Sequence, residues 1–262
     1  MEQNETFAKT RYFIVDMDGT FYLGRRLLKG ARRFAEKVHA AGKDFYFFTN
    51  NSSNSASSCR ENLASMGFHV GEEKIIVSSH VTARYITSEH RGKSVYLLGN
   101  SRLYETFLER GILLTDSDPD IVVLGFDTEL TYERIRKAAN FIANGALYIA
   151  THPDKNCPME DGFMPDTGSM IEMFAASTGQ RPLVMGKPET ETVNYITDYL
   201  SCTRDEIAFV GDRLETDIAV ATNHGVPSAL VFSGATTREM YERSAIRASA
   251  AVADLGELAE LI

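Results

Sequence analysis

A chain of 262 residues, 44% hydrophobic and 24% charged, is long enough for one large globular domain or two smaller ones with a sizeable core. Its formal net charge of −9, without a basic stripe anywhere, excludes non-specific binding to a nucleic acid polymer, and no apolar run approaches the about 20 residues that a membrane helix needs. The polar, mixed-charge opening MEQNETFAKTR is no secretory signal, so the expected setting is the cytoplasm.

The first third alternates strands and helices. Tyr12–Val15 is a short β-rich apolar run that stops at Asp16. Residues 30–41 place Phe34, Val38 and Ala41 on one helical face, with Gly42 as the stop. The aromatic run Asp44–Thr49 reads as a second strand, 55–66 as a helix capped by Ser53 or Asn54, and Ile75–Val77 as a third strand. In the middle, strands at 95–98, 121–124 and 147–150 alternate with helices at 101–110 and 131–144, and 151–170 reads as a long loop. The last third resumes with strands at 183–185, 207–210 and 229–232 and helices at 190–200 and 215–224. Near-continuous apolar strands alternating with helices imply an α/β fold with a doubly wound parallel sheet.

The cysteines, Cys59, Cys157 and Cys202, form no CxxC pair and read as reduced thiols. The six histidines show no HxH or HxxxH spacing, which argues against a histidine-based zinc site.

Four short segments carry candidate chemistry, each at a strand end or helix start. Asp16-Met17-Asp18-Gly19-Thr20 follows the first strand, and ligands of open parallel sheets sit beyond the carboxyl ends of strands. Two carboxylates there could face one site, one attacking phosphorus and the other handling protons; read alone, DGT is also an ordinary solvated turn. Thr49 and Asn50 close the aromatic strand, where a hydroxyl and amides could hold phosphate oxygens or merely cap a helix. Lys187, in Gly186-Lys187-Pro188, could bring an ammonium to a carboxylate and a phosphoryl group, although a lone lysine is usually solvated. The run from Gly211-Asp212 to Asp217 ends another strand with two acids, hard oxygen ligands that suit Mg²⁺.

In that order and across the whole chain, the four segments resemble the haloacid dehalogenase (HAD) superfamily. The resemblance implies that Asp16 is the nucleophile, Asp18 the general acid and base, Thr49 with Asn50 and Lys187 the phosphoryl-binding groups, and Asp16, Asp18 and Asp212 the Mg²⁺ ligands, with Asp217 supporting the metal shell. Dehalogenase members lack the second aspartate, so Asp18 favours a phosphatase. Only residues 19–29 separate Asp18 from the first helix, whereas 51–186 separate Asn50 from Lys187, so the second domain must be inserted in the latter interval. This organisation resembles the NagD-like, p-nitrophenylphosphatase-type branch: a Rossmann-like core at 1–79 and 181–262 and an inserted α/β cap at 80–180 that selects substrate. FFTNNSS, VLGFD at 123–127, LTYERI at 130–135 and IATHPD at 149–154 match the same branch.

The implied activity is Mg²⁺-dependent hydrolysis of small phosphate monoesters (nucleotide monophosphates, sugar phosphates or similar, and p-nitrophenyl phosphate in vitro) through an aspartyl-phosphate. A phosphotransferase or phosphomutase of the same fold, or a non-enzymatic switch phosphorylated on aspartate, are the alternatives. A homodimer through the cap is compatible with this reading, and no membrane or nucleic acid partner is implied. Departures from the branch pattern at Thr151-His152-Pro153-Asp154 and Pro165-Asp166-Thr167-Gly168 make His152, Asp154 and Asp166 the candidates for contacting the rest of the ester.

Overall fold

The structure, a computed structural model, describes residues 5–159 and 162–262. The first residues of the polar N-terminal run, 1–4, and residues 160 and 161 of the 151–170 segment lie outside the described residues. The chain divides into two compact units, one of Met1–Thr49, Cys59–Ile76 and Lys187–Ile262, the other of Asn50–Ser58 and Val77–Gly186.

The first unit is built on a six-stranded sheet in the spatial order Ala250–Val252, Ser228–Val231, Ile207–Gly211, Tyr12–Val15, Asp44–Thr49, Ile75–Val77. Tyr12–Val15 sits in the middle and pairs parallel with strands on both sides, Val15 lying opposite Val210 and Phe47. The chain winds outward from this strand in one direction and later returns on its other flank, which creates a switch point at the carboxyl ends of the central strands. Burial explains why the strands are nearly all apolar: Phe13, Ile14, Val15, Phe47, Phe48, Val210 and Leu230 are each 1% exposed or less. The helix Ala31–Ala40 packs Phe34, Ala35 and Val38 inward, and Phe34 meets Phe13 edge-to-face at 5.7 Å. Beside it, Phe21, Phe45, Phe47 and Phe68 meet mostly edge-on or tilted against one another.

The second unit has its own five-stranded parallel sheet, in the order Leu183–Val184, Leu147–Ala150, Ile121–Leu124, Ser94–Leu98, Leu113–Leu114. Tyr96, Leu98, Val122, Leu124 and Tyr148 pack with Ala138, Ile142, Ile171 and Phe174 of the helices Tyr132–Ala143 and Thr167–Thr178 into one core. Asn100, Thr131 and Asp166 cap the helices that follow them through their side chains.

Four local expectations are revised. The segment 151–170 is not one long loop: Asn156–Met159 and Gly162–Pro165 pair antiparallel, and the helix Thr167–Thr178 begins within it. Two prolines and a glycine interrupt the alternation by which a hairpin is recognised from sequence. Leu183–Val184, expected in the core, is an edge strand of the second sheet, paired with Ile149 and Ala150, and the chain re-enters the first unit at Lys187. The helix Ala56–Ser65 is capped neither by Ser53 nor by Asn54: the hydroxyls of Ser55 and Ser58 each accept from the other's amide, at 3.2 and 3.0 Å. The stretch 215–224 is not one α-helix but the π-helical turn Leu214–Ile218 followed by Ala219–His224. No helix among the described residues is long and apolar enough to cross a membrane.

Candidate active site

Asp16 prolongs the central strand by one ladder bond, its amide donating to the Val210 carbonyl at 2.8 Å, so its carboxylate emerges at the carboxyl edge of the sheet. Gly19 then turns the chain back with φ +85°, a region where glycine alone sits without strain. A Cβ there would lie 2.5 Å from Asp212 Oδ2, so this glycine is also required for close packing against the acid.

Lys187 reaches the same edge. It is 2% exposed, and its ammonium donates to Asp16 Oδ1 at 2.8 Å, Asp217 Oδ1 at 2.6 Å and the Phe48 carbonyl at 3.1 Å. Three donors thus meet three acceptors, which is what a buried ammonium requires. Burial alone would push this amine's pKa down; the charges of Asp16 and Asp217 outweigh it and hold the pKa above its ordinary value.

Asp217 is placed by the π-helical turn after Ile207–Gly211. Its Oδ2 accepts from the Arg213 amide at 3.0 Å, and a side chain at Gly211 would collide with it, a Cβ falling 2.2 Å from its own Cβ. Asp212 is 1% exposed. Its Oδ1 accepts from the Thr20 hydroxyl at 3.1 Å and its Oδ2 from the Ala235 amide at 2.6 Å, and Gly234 leaves room for it, since a Cβ there would stand 2.0 Å from Oδ2.

Carboxylate oxygens of Asp16, Asp212 and Asp217 lie within 4.8 Å of one another. Three acids against one lysine leave two negative charges unbalanced when all are ionised. Burial, then the charge of Asp217, pushes Asp212 up to about 6 despite its hydrogen bonds from Ala235 and Thr20. Burial likewise raises Asp16 well above the usual carboxylate range; Lys187 opposes this, while Asp217 and Asp212 add to it. A hard divalent cation would relieve both strains, and an all-oxygen donor set of few carboxylates fits Mg²⁺.

Asp18, expected as a further ligand, does not add an oxygen to this group. Its side chain turns to Tyr22, whose hydroxyl donates to Asp18 Oδ2 at 3.3 Å. Asp18 is open to water yet ringed by protein, and this desolvation raises its pKa against the opposing hydrogen bond from Tyr22 and the charge of Arg213. Thr49 ends its strand in the first unit and is 5% exposed, next to the Phe48 carbonyl that holds Lys187. Asn50 belongs to the second unit, where its Nδ2 donates to Asp154 Oδ2 at 2.7 Å and its carbonyl accepts from Ser78.

His152 and Asp166, expected to contact substrate, are instead buried within the second unit. His152 is fully buried; its Nε2 is 2.9 Å from Asp166 Oδ1 and its Nδ1 2.9 Å from Thr151 Oγ1. Asp166 also caps the helix Thr167–Thr178, accepting from the Thr167 amide at 2.5 Å. A chain of hydrogen bonds continues through Thr151 to Ser52 and the Phe126 amide. Asp166→Ala is therefore expected to lower stability by about 2–4 kcal/mol, a lost cap plus an orphaned buried partner, and to change kcat/KM of five different phosphate esters in parallel. Denaturant midpoints and the five kcat/KM values check this; a re-ranking of the esters would contradict it.

Thr20 stands in the motif Asp16–Thr20 but its contact with Asp212 is not legible there, and Gly234 and the Ala235 amide belong to no motif. The only signal for the last two is the turn Ser233-Gly234-Ala235 just beyond the strand Ser228–Val231, at the sheet edge where sites gather.

Known proteins share this architecture. A sequence profile of haloacid dehalogenase-like hydrolases matches residues 13–113, and a HAD-hydrolase-like profile matches 184–258. The chain is 34% identical over 251 residues to an acid sugar phosphatase of Staphylococcus aureus (strain MRSA252), covering 95% of this chain and 97% of that protein. Among solved structures, a 4-nitrophenylphosphatase from Thermotoga maritima superposes with a TM-score of 0.95 at 41% identity, covering 98% of each chain. NagD from E. coli K-12 superposes with a TM-score of 0.88 at 27% identity, covering 95% of this chain and 98% of that one. Fold, switch-point site and these similarities agree: the chain belongs to the haloacid dehalogenase-like hydrolases and is a phosphatase of their NagD-like branch.

Proposed function

We propose that this phosphatase hydrolyses small organic phosphate monoesters with the help of Mg²⁺, through an aspartyl-phosphate on Asp16. Sugar phosphates are the favoured class, because the acid sugar phosphatase relative matches nearly end to end, and p-nitrophenyl phosphate is the expected artificial substrate. The observation that carries the reading is the buried Lys187 ammonium shared between Asp16 and Asp217 beside Asp212.

Asp16 Oδ1 is held by Lys187, which leaves Oδ2 to attack phosphorus in line. Lys187, fixed by Asp217 and the Phe48 carbonyl, offers positive charge to the phosphoryl oxygens as the ester bond breaks, and Thr49 lies at the same sheet edge to bind another oxygen. Asp18 gives a proton to the leaving oxygen, then takes one from the water that cleaves the aspartyl-phosphate. Asp16 and Asp212 would hold the metal, with Asp217 behind them, and Mg²⁺ bound there supplies neutralising charge for the phosphoryl group. The second unit, Asn50–Ser58 and Val77–Gly186, is assigned the selection of the group that carries the phosphate.

Phosphate release from p-nitrophenyl phosphate and a panel of sugar phosphates and nucleotides tests this reading. Activity is expected to vanish in EDTA and return with Mg²⁺, with sugar phosphates ahead of nucleotides. Ca²⁺ should inhibit, because its larger and looser shell holds the in-line geometry poorly. Full activity in excess chelator would refute the metal requirement.

A further inference from the structure

Tyr22 occupies a position that neither the motif nor the reaction scheme requires. It is 4% exposed and lies in the small antiparallel pair Tyr22–Leu23 with Arg26–Leu27. Its backbone is pinned to the catalytic turn: the Tyr22 carbonyl accepts from the Gly19 amide at 2.8 Å, and the Phe21 and Tyr22 amides both donate to the Met17 carbonyl, at 2.9 and 3.1 Å. Its hydroxyl donates to Asp18 Oδ2. Burial raises the pKa of this phenol, and the nearby Asn62 side chain, on the helix Ala56–Ser65, acts to lower it. The phenol proton points at Asp18, and a polar amide close to the phenol oxygen favours that orientation.

We propose that Tyr22 is a positioning residue for proton transfer. By occupying Oδ2 it leaves Asp18 asymmetric, so that the transferable proton resides on Oδ1 and the carboxyl cannot rotate away from the leaving oxygen. In the first half-reaction the Asp18 Oδ1–H proton passes to the ester oxygen as the P–O bond to the leaving group breaks and a bond from Asp16 to phosphorus forms. In the second, Oδ1 takes a proton from water as the water oxygen bonds to phosphorus and the Asp16–phosphorus bond breaks. Tyr22 keeps its own proton throughout. This rests on Asp18 being the acid and base.

A series of substituted phenyl phosphates tests the proposal, because a poor leaving group needs the proton and p-nitrophenol hardly does. Through kcat/KM, which reports only up to leaving-group departure, Tyr22→Phe is expected to lose about tenfold on the poorest leaving group, the scale of one hydrogen bond, and under about twofold on p-nitrophenyl phosphate. In an Asp18→Asn background that selective loss should disappear, since the two residues act as a unit. Asn62→Ala leaves the phenol in place and should show the same selectivity at about threefold, which covers the case in which Tyr22→Phe folds poorly. Equal losses across the series, no loss, or a selective loss that persists without Asp18 would each overturn the proposal. Wild-type enzyme that released no phosphate from any aryl ester would instead overturn the functional reading itself.

Discussion

Asp16→Asn is expected to lower kcat on every substrate by at least about three orders of magnitude, as removal of a nucleophile usually does. The fold should survive, because asparagine has the same volume and the Asp16 amide keeps its ladder bond to Val210. Two opposing changes nearly cancel in stability: a partner of Lys187 is lost, and the repulsion of Asp16 with the buried Asp212 and Asp217 is relieved. The unfolding free energy should therefore change by no more than about 1 kcal/mol, the size of an ordinary point mutation, while activity collapses. Retention of a tenth of wild-type kcat would remove Asp16 from the role of nucleophile.

Lys187→Ala is expected to have the largest effect on stability. Among the described residues Lys187 is the one cation bonded to both Asp16 and Asp217, and it lies with Asp217 almost wholly out of water. Deleting one member of a buried charge pair leaves the other uncompensated and usually destabilises by about 3–5 kcal/mol. Bound Mg²⁺ should restore part of this, because it supplies positive charge to the same acids, whereas it should restore no activity. Urea denaturation with and without Mg²⁺ measures both effects. A loss below about 1 kcal/mol without metal would show that the acids are protonated or solvated rather than charge-paired.

Both effects concern residues whose placement could be read from order and spacing. Apolar strands that stop at Asp16, Thr49 and Asp212 announce a parallel sheet with acids at its carboxyl edge, and the long interval before Lys187 announces an insertion. Other parts of the site depend on segments that meet only in three dimensions. Thr20 supports Asp212 from 192 positions away, and Gly234 matters because Asp212 fills the space where its side chain would be. The role of Thr20 is hidden within a motif read for its two aspartates, and that of Gly234 within an unremarkable Ser-Gly-Ala turn. Tyr22 reads as one more aromatic in a β-rich stretch until its hydroxyl is seen beside Asp18. His152 and Asp166 show the converse: polar residues in a proline-rich segment look exposed, yet they satisfy one another inside a core. Leu183–Val184 is too short to reveal which sheet it joins.

The covalent intermediate is the central claim, and mass spectrometry of enzyme quenched in acid during turnover tests it most directly. Trypsin should release the peptide Tyr12–Arg25, which holds Asp16 and Asp18. With substrate and Mg²⁺ present, a fraction of this peptide is expected to carry the mass of one added HPO₃, localised by fragmentation to Asp16, and to be absent from Asp16→Asn. Phosphate found on another residue, or a wild-type enzyme that turns over with no modified peptide under conditions where hydrolysis of the intermediate limits the rate, would contradict the account.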